Sequence, residues 1–145
     1  MRLAVAADTD RVRDVVRQAF QRYVAVIGRE PWPMTVDFAA VVAAGHCWVA
    51  EEDGLVVGVV QLAVAADHLE VEILAVAPEA QGTGVGGRLL TFAEEWAAGR
   101  QLPEVRLCTN EAMTENLTFY PRRGYRETGR GTQAGYNRVF YAKPV

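Results

Sequence analysis

Cysteine and histidine are scarce, with two of each in 145 residues. Cys47 and Cys108 lie far apart with no CxxC, and His46 and His68 form no cluster with them, so neither a zinc site nor a disulfide framework is indicated. No metal is expected, and an intracellular, reduced protein is. Positive charge is not in excess either: 15 Lys and Arg face 18 Asp and Glu, a net charge of −3. The broad positive field that nucleic-acid backbones or anionic membranes select is missing, so no nucleic acid and no membrane is expected as a partner. No apolar run approaches the ~18 residues of a membrane span, and the opening MRLAVAA is too short for a signal peptide. The expected location is cytoplasmic. Repeats, linkers and low-complexity tracts are missing as well. Half of the residues are hydrophobic, and a chain of this length can bury a core without disulfide or metal, so a single domain over 1–145 is expected.

The periodicity of the apolar residues supplies the elements. Val12, Val15, Val16, Ala19, Phe20, Tyr23 and Ile27 recur at three- and four-residue steps between the cap candidates Asp8, Thr9 and Asp10 and the stop at Gly28, which predicts one amphipathic helix. Glu30-Pro-Trp-Pro33 breaks the chain, and a shorter helix over Val36–Ala44 follows. The period then changes to strands at Cys47–Glu51 and Leu55–Val64 around the turn Glu52-Asp-Gly54, and again at Leu69–Ala77. From Gly84 it is helical up to Gly99, with Val85, Leu89, Leu90, Phe92, Ala93, Trp96 and Ala97 on or near one stripe. A strand over Val105–Thr109, a short helix over Met113–Arg122 and a hairpin of Tyr125–Glu127 with Arg138–Lys143 complete the reading. The class is α/β or α+β: helices flanking one mixed, mostly antiparallel central sheet, with one strand–helix–strand unit at 69–109.

The junction at the start of the long helix carries the chemistry. Gln81-Gly-Thr-Gly84-Val-Gly-Gly87 sits between a strand and a helix. Backbone amides there can converge on an anion, aided by the helix dipole, and glycine lets the backbone approach a phosphate without a Cβ. The plainer reading is a tight turn with close helix–sheet packing. Residues 82–87 also satisfy GxGxxG literally, but antiparallel hairpins before and after leave little chain for a dinucleotide fold. A Walker loop is excluded, since no Gly-Lys-Ser/Thr occurs in the turn.

The stretch Leu74-Ala-Val-Ala-Pro-Glu-Ala-Gln81-Gly-Thr-Gly84-Val-Gly86 resembles the pyrophosphate-binding segment of the GNAT superfamily of acyl-CoA N-acyltransferases, whose Gln/Arg-x-x-Gly-x-Gly/Ala signature is matched by Gln81, Gly84 and Gly86. Asn116-Leu-Thr-Phe119-Tyr120-Pro-Arg-Arg-Gly124-Tyr125 resembles that family's later element, and the similarity covers essentially the whole chain. The resemblance implies a GNAT-like sheet with one splayed strand pair. It implies acetyl-CoA as co-substrate, with its pyrophosphate on Gly82, Thr83, Gly84, Val85, Gly86 and Gly87, the Thr83 hydroxyl able to add a bond. The pantetheine arm would pair along Leu74, Ala75 and Val76, and Asn116 would contact it. Asn116 read locally is also a helix-cap candidate.

Acidic residues on the strand before the turn serve as base in several members. Glu70 and Glu72 alternate with Val71 and Ile73 on that strand, so both share one face; Glu72 is expected as the base, with Glu70 second, against the plainer reading of a solvated face. Tyr120 matches the family's tyrosine near the thioester sulfur, the general acid, and Pro121 beside it is expected to kink its helix. Arg88 reads as a surface arginine that could meet a phosphate, Cys108 as a small buried hydrophobe, and His68 as a residue that could titrate in a proton path. The expected function is acetyl transfer to a primary amine of a small molecule or peptide by direct attack in a ternary complex, the alternative being a non-catalytic acyl-CoA-binding or sensing module. The acceptor is not encoded in any motif, and a homodimer is common among similar proteins.

Overall fold

The computed structural model describes residues 1–145. Its elements in chain order are β1 (Arg2–Leu3), α1 (Thr9–Phe20), α2 (Tyr23–Ile27), α3 (Phe38–Ala43), β2 (Cys47–Glu52), β3 (Leu55–Val64), β4 (Leu69–Val76), α4 (Val85–Gly99), β5 (Glu104–Asn110), α5 (Asn116–Arg122), β6 (Arg126–Gln133) and β7 (Tyr136–Pro144). The strands follow the hydrogen-bonding order β1-β2-β3-β4-β5-β7-β6 in one seven-stranded sheet. The pairs β1/β2, β2/β3, β5/β7 and β6/β7 are antiparallel, and β4/β5 is parallel. This is the mixed, mostly antiparallel α/β architecture that the sequence predicts.

Two compact units share the chain. One comprises Met1–Leu62 with Ile73–Phe92, the other Ala63–Glu72 with Ala93–Val145. In the first, α1 buries Val12, Val15 and Val16 and packs against α3. The single helix expected to Gly28 is interrupted at residues 21–22: the amide of Val24 bonds to the carbonyl of Gln21, three residues back, so one tight turn separates α1 from α2. Helix α3 starts two residues later than predicted because the Asp37 side chain caps it by accepting from the Ala40 amide. The β2–β3 hairpin turns on Asp53 and Gly54, both at positive φ, as its Asp-Gly pair predicts.

Gly58, in the middle of β3, marks a close approach. A Cβ placed on it would lie 2.8 Å from Val85 Cγ1 and 3.1 Å from Leu89 Cδ1, both on buried residues of α4. The glycine therefore sets how near the start of α4 comes to the strand. Gly58→Leu is expected to overpack this contact and lower stability by ~1–3 kcal/mol, seen as a fall of several degrees in Tm. A melting temperature equal to that of the unmodified protein would show that the contact yields freely.

In the second unit the closing hairpin is longer than predicted. Its strands run over Arg126–Gln133 and Tyr136–Pro144, turning at Ala134 and Gly135, both at positive φ. Residues 128–137 thus belong to paired strands and their turn. The sequence RETGRGTQ lacks apolar alternation because β6 lies at the sheet's edge with nearly every residue exposed. Backbone pairing with β7, with a register shift between Glu127 and Gly129, holds it in place. Helix α5 likewise starts at Asn116 rather than Met113, after a turn in which the Met113 amide bonds to the Asn110 carbonyl.

Candidate active site

Strand β4 alternates buried Leu69, Val71, Ile73 and Ala75 with the more open Glu70, Glu72, Leu74 and Val76. After Val76 the chain passes through a short 3-10 turn, Pro78–Ala80, and reaches the glycines. Gly82 and Gly84 have φ of +79° and +92°, and no atom lies within 4 Å of where a Cβ would stand on either. The first intrahelical hydrogen bond of α4 runs from the Arg88 amide to the Gly84 carbonyl, so the amides of Val85, Gly86 and Gly87 precede it and are available to an anion.

The neighbouring side chains of this turn bond to nearby backbone carbonyls. Gln81 Nε2 donates to the Val76 carbonyl at 3.2 Å, tying the turn to the end of β4. The Thr83 hydroxyl and amide both donate to the Ala80 carbonyl. The bond expected from the Thr83 hydroxyl to a phosphate is therefore not prepared: its hydrogen already serves to close the 3-10 turn. Arg88 pairs with Glu52, which agrees with its reading as a surface arginine.

The second unit carries the remaining predicted residues. The parallel ladder of β4 with β5 covers only Leu69–Val71 against Val105–Leu107, whereas β5 pairs with β7 along its whole length, Glu104–Asn110. Glu70 and Glu72 lie on one face of β4, as expected, but differ in surroundings: Glu72 is exposed and Glu70 is half-buried. His68 Nε2 lies 3.2 Å from Glu70 Oε2, and His68 Nδ1 lies 2.8 Å from Asp67. Burial raises the Glu70 carboxyl above the ordinary range, and His68 partly opposes the rise. His68, expected only as a residue that could titrate, thus touches one of the two candidate bases.

Tyr120 is 6% exposed and sits in an aromatic cluster, with ring centroids 5.3 Å from Phe119, 5.9 Å from Tyr125 and 5.8 Å from Tyr141. Tyr125 is held in turn by a 2.8 Å bond to Glu94, whose other oxygen accepts from Lys143 at 2.9 Å. Pro121 stands inside α5, yet the helix continues to Arg122, and Tyr120 keeps its place in it, its carbonyl accepting from the amides of Arg123 and Tyr125. Burial, followed by the neighbouring Cys108 and Tyr141, pushes the Tyr120 phenol well above its usual range. Asn116 does not cap the helix. Its Nδ2 donates to Thr109 Oγ1 on β5 at 2.9 Å, which fixes the amide plane. An open cavity of about 560 Å³ along α5 is lined by Glu115, Thr118, Phe119, Arg122 and Arg123, none of which the sequence assigns a role in the site.

The acetyltransferase (GNAT) domain family matches residues 43–127, more than half of the chain. No curated protein matches it. Among solved structures, the PaiA N-acetyltransferase from Thermoplasma acidophilum in complex with coenzyme A is similar over 99% of this chain and 97% of its own, at 18% identity and a TM-score of 0.82. A ribosomal-protein-alanine N-acetyltransferase from Brucella melitensis is similar over 99% and 98%, at 21% identity and 0.77. An acetyltransferase from Bacillus cereus is 25% identical over 68% of this chain and 71% of its own, with a TM-score of 0.58. The fold is shared with the first two, and the domain match spans the strand, the glycine turn and the tyrosine helix; the chain belongs to the GNAT acetyltransferase family.

Proposed function

We propose that the protein moves an acetyl group from acetyl-CoA to a primary amine by direct attack in a ternary complex. The observation that carries this reading is the turn at Gly82 and Gly84, where positive φ opens a row of unbonded amides at the start of α4. Those amides and the helix dipole suit the two charges of a pyrophosphate. The relative from Thermoplasma acidophilum, solved with coenzyme A, supports the choice of ligand. Acetyl-CoA supplies the acetyl group as a thioester; the side chains of this protein do the rest. Leu74, Ala75 and Val76 offer a strand edge to the pantetheine arm, and Asn116, its Nδ2 already engaged, presents Oδ1 to an amide of that arm.

An alkylammonium of pKa ~10.4 is neutral in about one molecule per thousand or fewer at pH 7, which adds ~4–5 kcal/mol to the barrier unless a base removes the proton. Position near the turn favours Glu72, whereas burial favours Glu70, whose raised carboxyl is the better-matched base at neutral pH. Tyr120, kept protonated by its burial, donates to the departing sulfur. Because the phenol is a weaker acid than a thiol of pKa ~8.5, it contributes mainly a hydrogen bond to the developing charge.

Calorimetry with coenzyme A, followed by a thiol-release assay against polyamines, aminoglycosides, amino acids and N-terminal peptides, tests the reading. Binding heat with amine-dependent release supports it. Binding without release for any amine supports a non-catalytic acyl-CoA module instead, and no heat at all overturns both. The pH dependence separates the glutamates. The base must be ionised in the free enzyme, so kcat/KM falls as pH drops through its pKa. That midpoint is expected above the ordinary Glu value of ~4.3, and Glu70→Gln should remove the limb. A limb that survives Glu70→Gln and disappears in Glu72→Gln assigns the base to Glu72.

A further inference from the structure

Arg138 is a cation whose donors the fold leaves largely unused. It lies on β7 opposite Asn110 of β5, with Phe140 opposite Cys108. Strand alternation places half-buried Arg138 and Phe140 on the face shared by Glu104, Arg106, Cys108 and Asn110, while Val105, Leu107, Thr109, Val139 and Tyr141 fill the buried face. Glu70 is level with Arg106 in the β4–β5 ladder and belongs to the same open face.

The two arginines of this face differ in one respect. Arg106 is neutralised by Glu104 and lies 3.4 Å from Asp67. Arg138 forms no ion pair: its Nη1 donates to the Cys108 sulfur at 3.3 Å, its Nε is buried without an acceptor, and its guanidinium stands 5.4 Å from the centroid of the Tyr136 ring. Sulfur is a weak acceptor and an aromatic face only a partial counter-charge. A half-buried guanidinium held this way is under-satisfied, and a carboxylate is the group that its planar fork binds best. Burial raises the Cys108 thiol above its ordinary range, Arg138 partly opposes the rise, and Glu70 adds a smaller push upward.

We propose that Arg138 anchors a carboxylate of the amine acceptor, so that the acceptor is a molecule bearing both a primary amine and a carboxylate. The proposal rests on the acetyl-transfer reading above, with the amine toward Glu70. Cys108, which the guanidinium touches, stands two residues along β5 from the level of Glu70 and one strand across from it, roughly 7 Å by strand rise and about 4.8 Å by strand spacing, or about 8 Å in all. That separation suits an amine several carbons from its carboxylate, an ω-amino acid or a lysine-like chain, better than an α-amine.

The test compares ω-amino acids from β-alanine to aminohexanoate with alkylamines of matched length, in the wild type and in Arg138→Gln and Arg138→Lys. The wild type should prefer the carboxylates, with the longer chains ahead. In Arg138→Gln the ratio of kcat/KM between the two series should fall about 10- to 100-fold, the scale of one lost charged hydrogen bond. The change should sit in KM, and Arg138→Lys should restore part of it. A wild type indifferent to the carboxylate, or an Arg138→Gln variant that slows both series equally, overturns the proposal and leaves acetyl transfer standing. If neither series releases thiol, acetyl transfer to amines fails. Calorimetric binding of aminohexanoate to the coenzyme A-loaded protein then decides alone: binding lost in Arg138→Gln upholds the anchor, and absence of binding to the wild type refutes it.

Discussion

Gly84→Val is expected to raise the Kd for coenzyme A by about 10- to 100-fold. Gly84 has φ +92° with no neighbour within 4 Å of the missing Cβ, so a side chain there meets no obstacle and the penalty is conformational. Holding a non-glycine residue in such a region costs ~1–3 kcal/mol, most for a β-branched one. The backbone relieves that strain by rotating Gly84, whose carbonyl anchors the first hydrogen bond of α4, and the amides that follow lose their common aim. Gly84→Ala should show a smaller loss of the same kind. Calorimetry of the three proteins side by side, with melting curves as a check of folding, provides the measurement. An unchanged Kd in a folded Gly84→Val protein would mean that the phosphates lie elsewhere.

Tyr120→Phe is expected to lower kcat by about 100- to 1,000-fold, the range seen when a donor to developing negative charge is removed, with coenzyme A binding little altered. The substitution keeps the ring contacts with Phe119, Tyr125 and Tyr141 and removes only the hydroxyl, so packing is conserved while the proposed donor to the leaving sulfur is lost. A loss confined to kcat would mark an interaction made in the transition state. Turnover equal to the wild type would remove Tyr120 from the chemistry and leave it as a member of the aromatic cluster.

The glycine turn and the tyrosine helix are readable from sequence because each is local. Four glycines in Gln81–Gly87 between a strand pattern and a helix pattern mark a backbone-built site, and the i, i+2 relation of Glu70 and Glu72 already places both on one face. Other features depend on pairing between distant segments. The pattern of β6 is silent because an exposed edge strand needs no apolar alternation. Glu70 has His68 beside it in the sequence, but it stands level with Arg106 only through the ladder with β5. Arg138 meets Cys108 thirty positions away only because β5 and β7 are neighbours.

Sequence alone therefore determined where the chain has the glycine turn from which a phosphate site is proposed and which family the chain resembles, since both are written in contiguous residues whose conformational freedom is intrinsic. Tertiary structure decided which donors and acids remain available. Thr83 is directed to the Ala80 carbonyl, Tyr120 is buried and held protonated, Glu70 is distinguished from Glu72, and Arg138 is left without a counter-charge. The reason is physical: desolvation and hydrogen-bond partnership are properties of what surrounds a side chain, and most of those surroundings come from elsewhere in the chain.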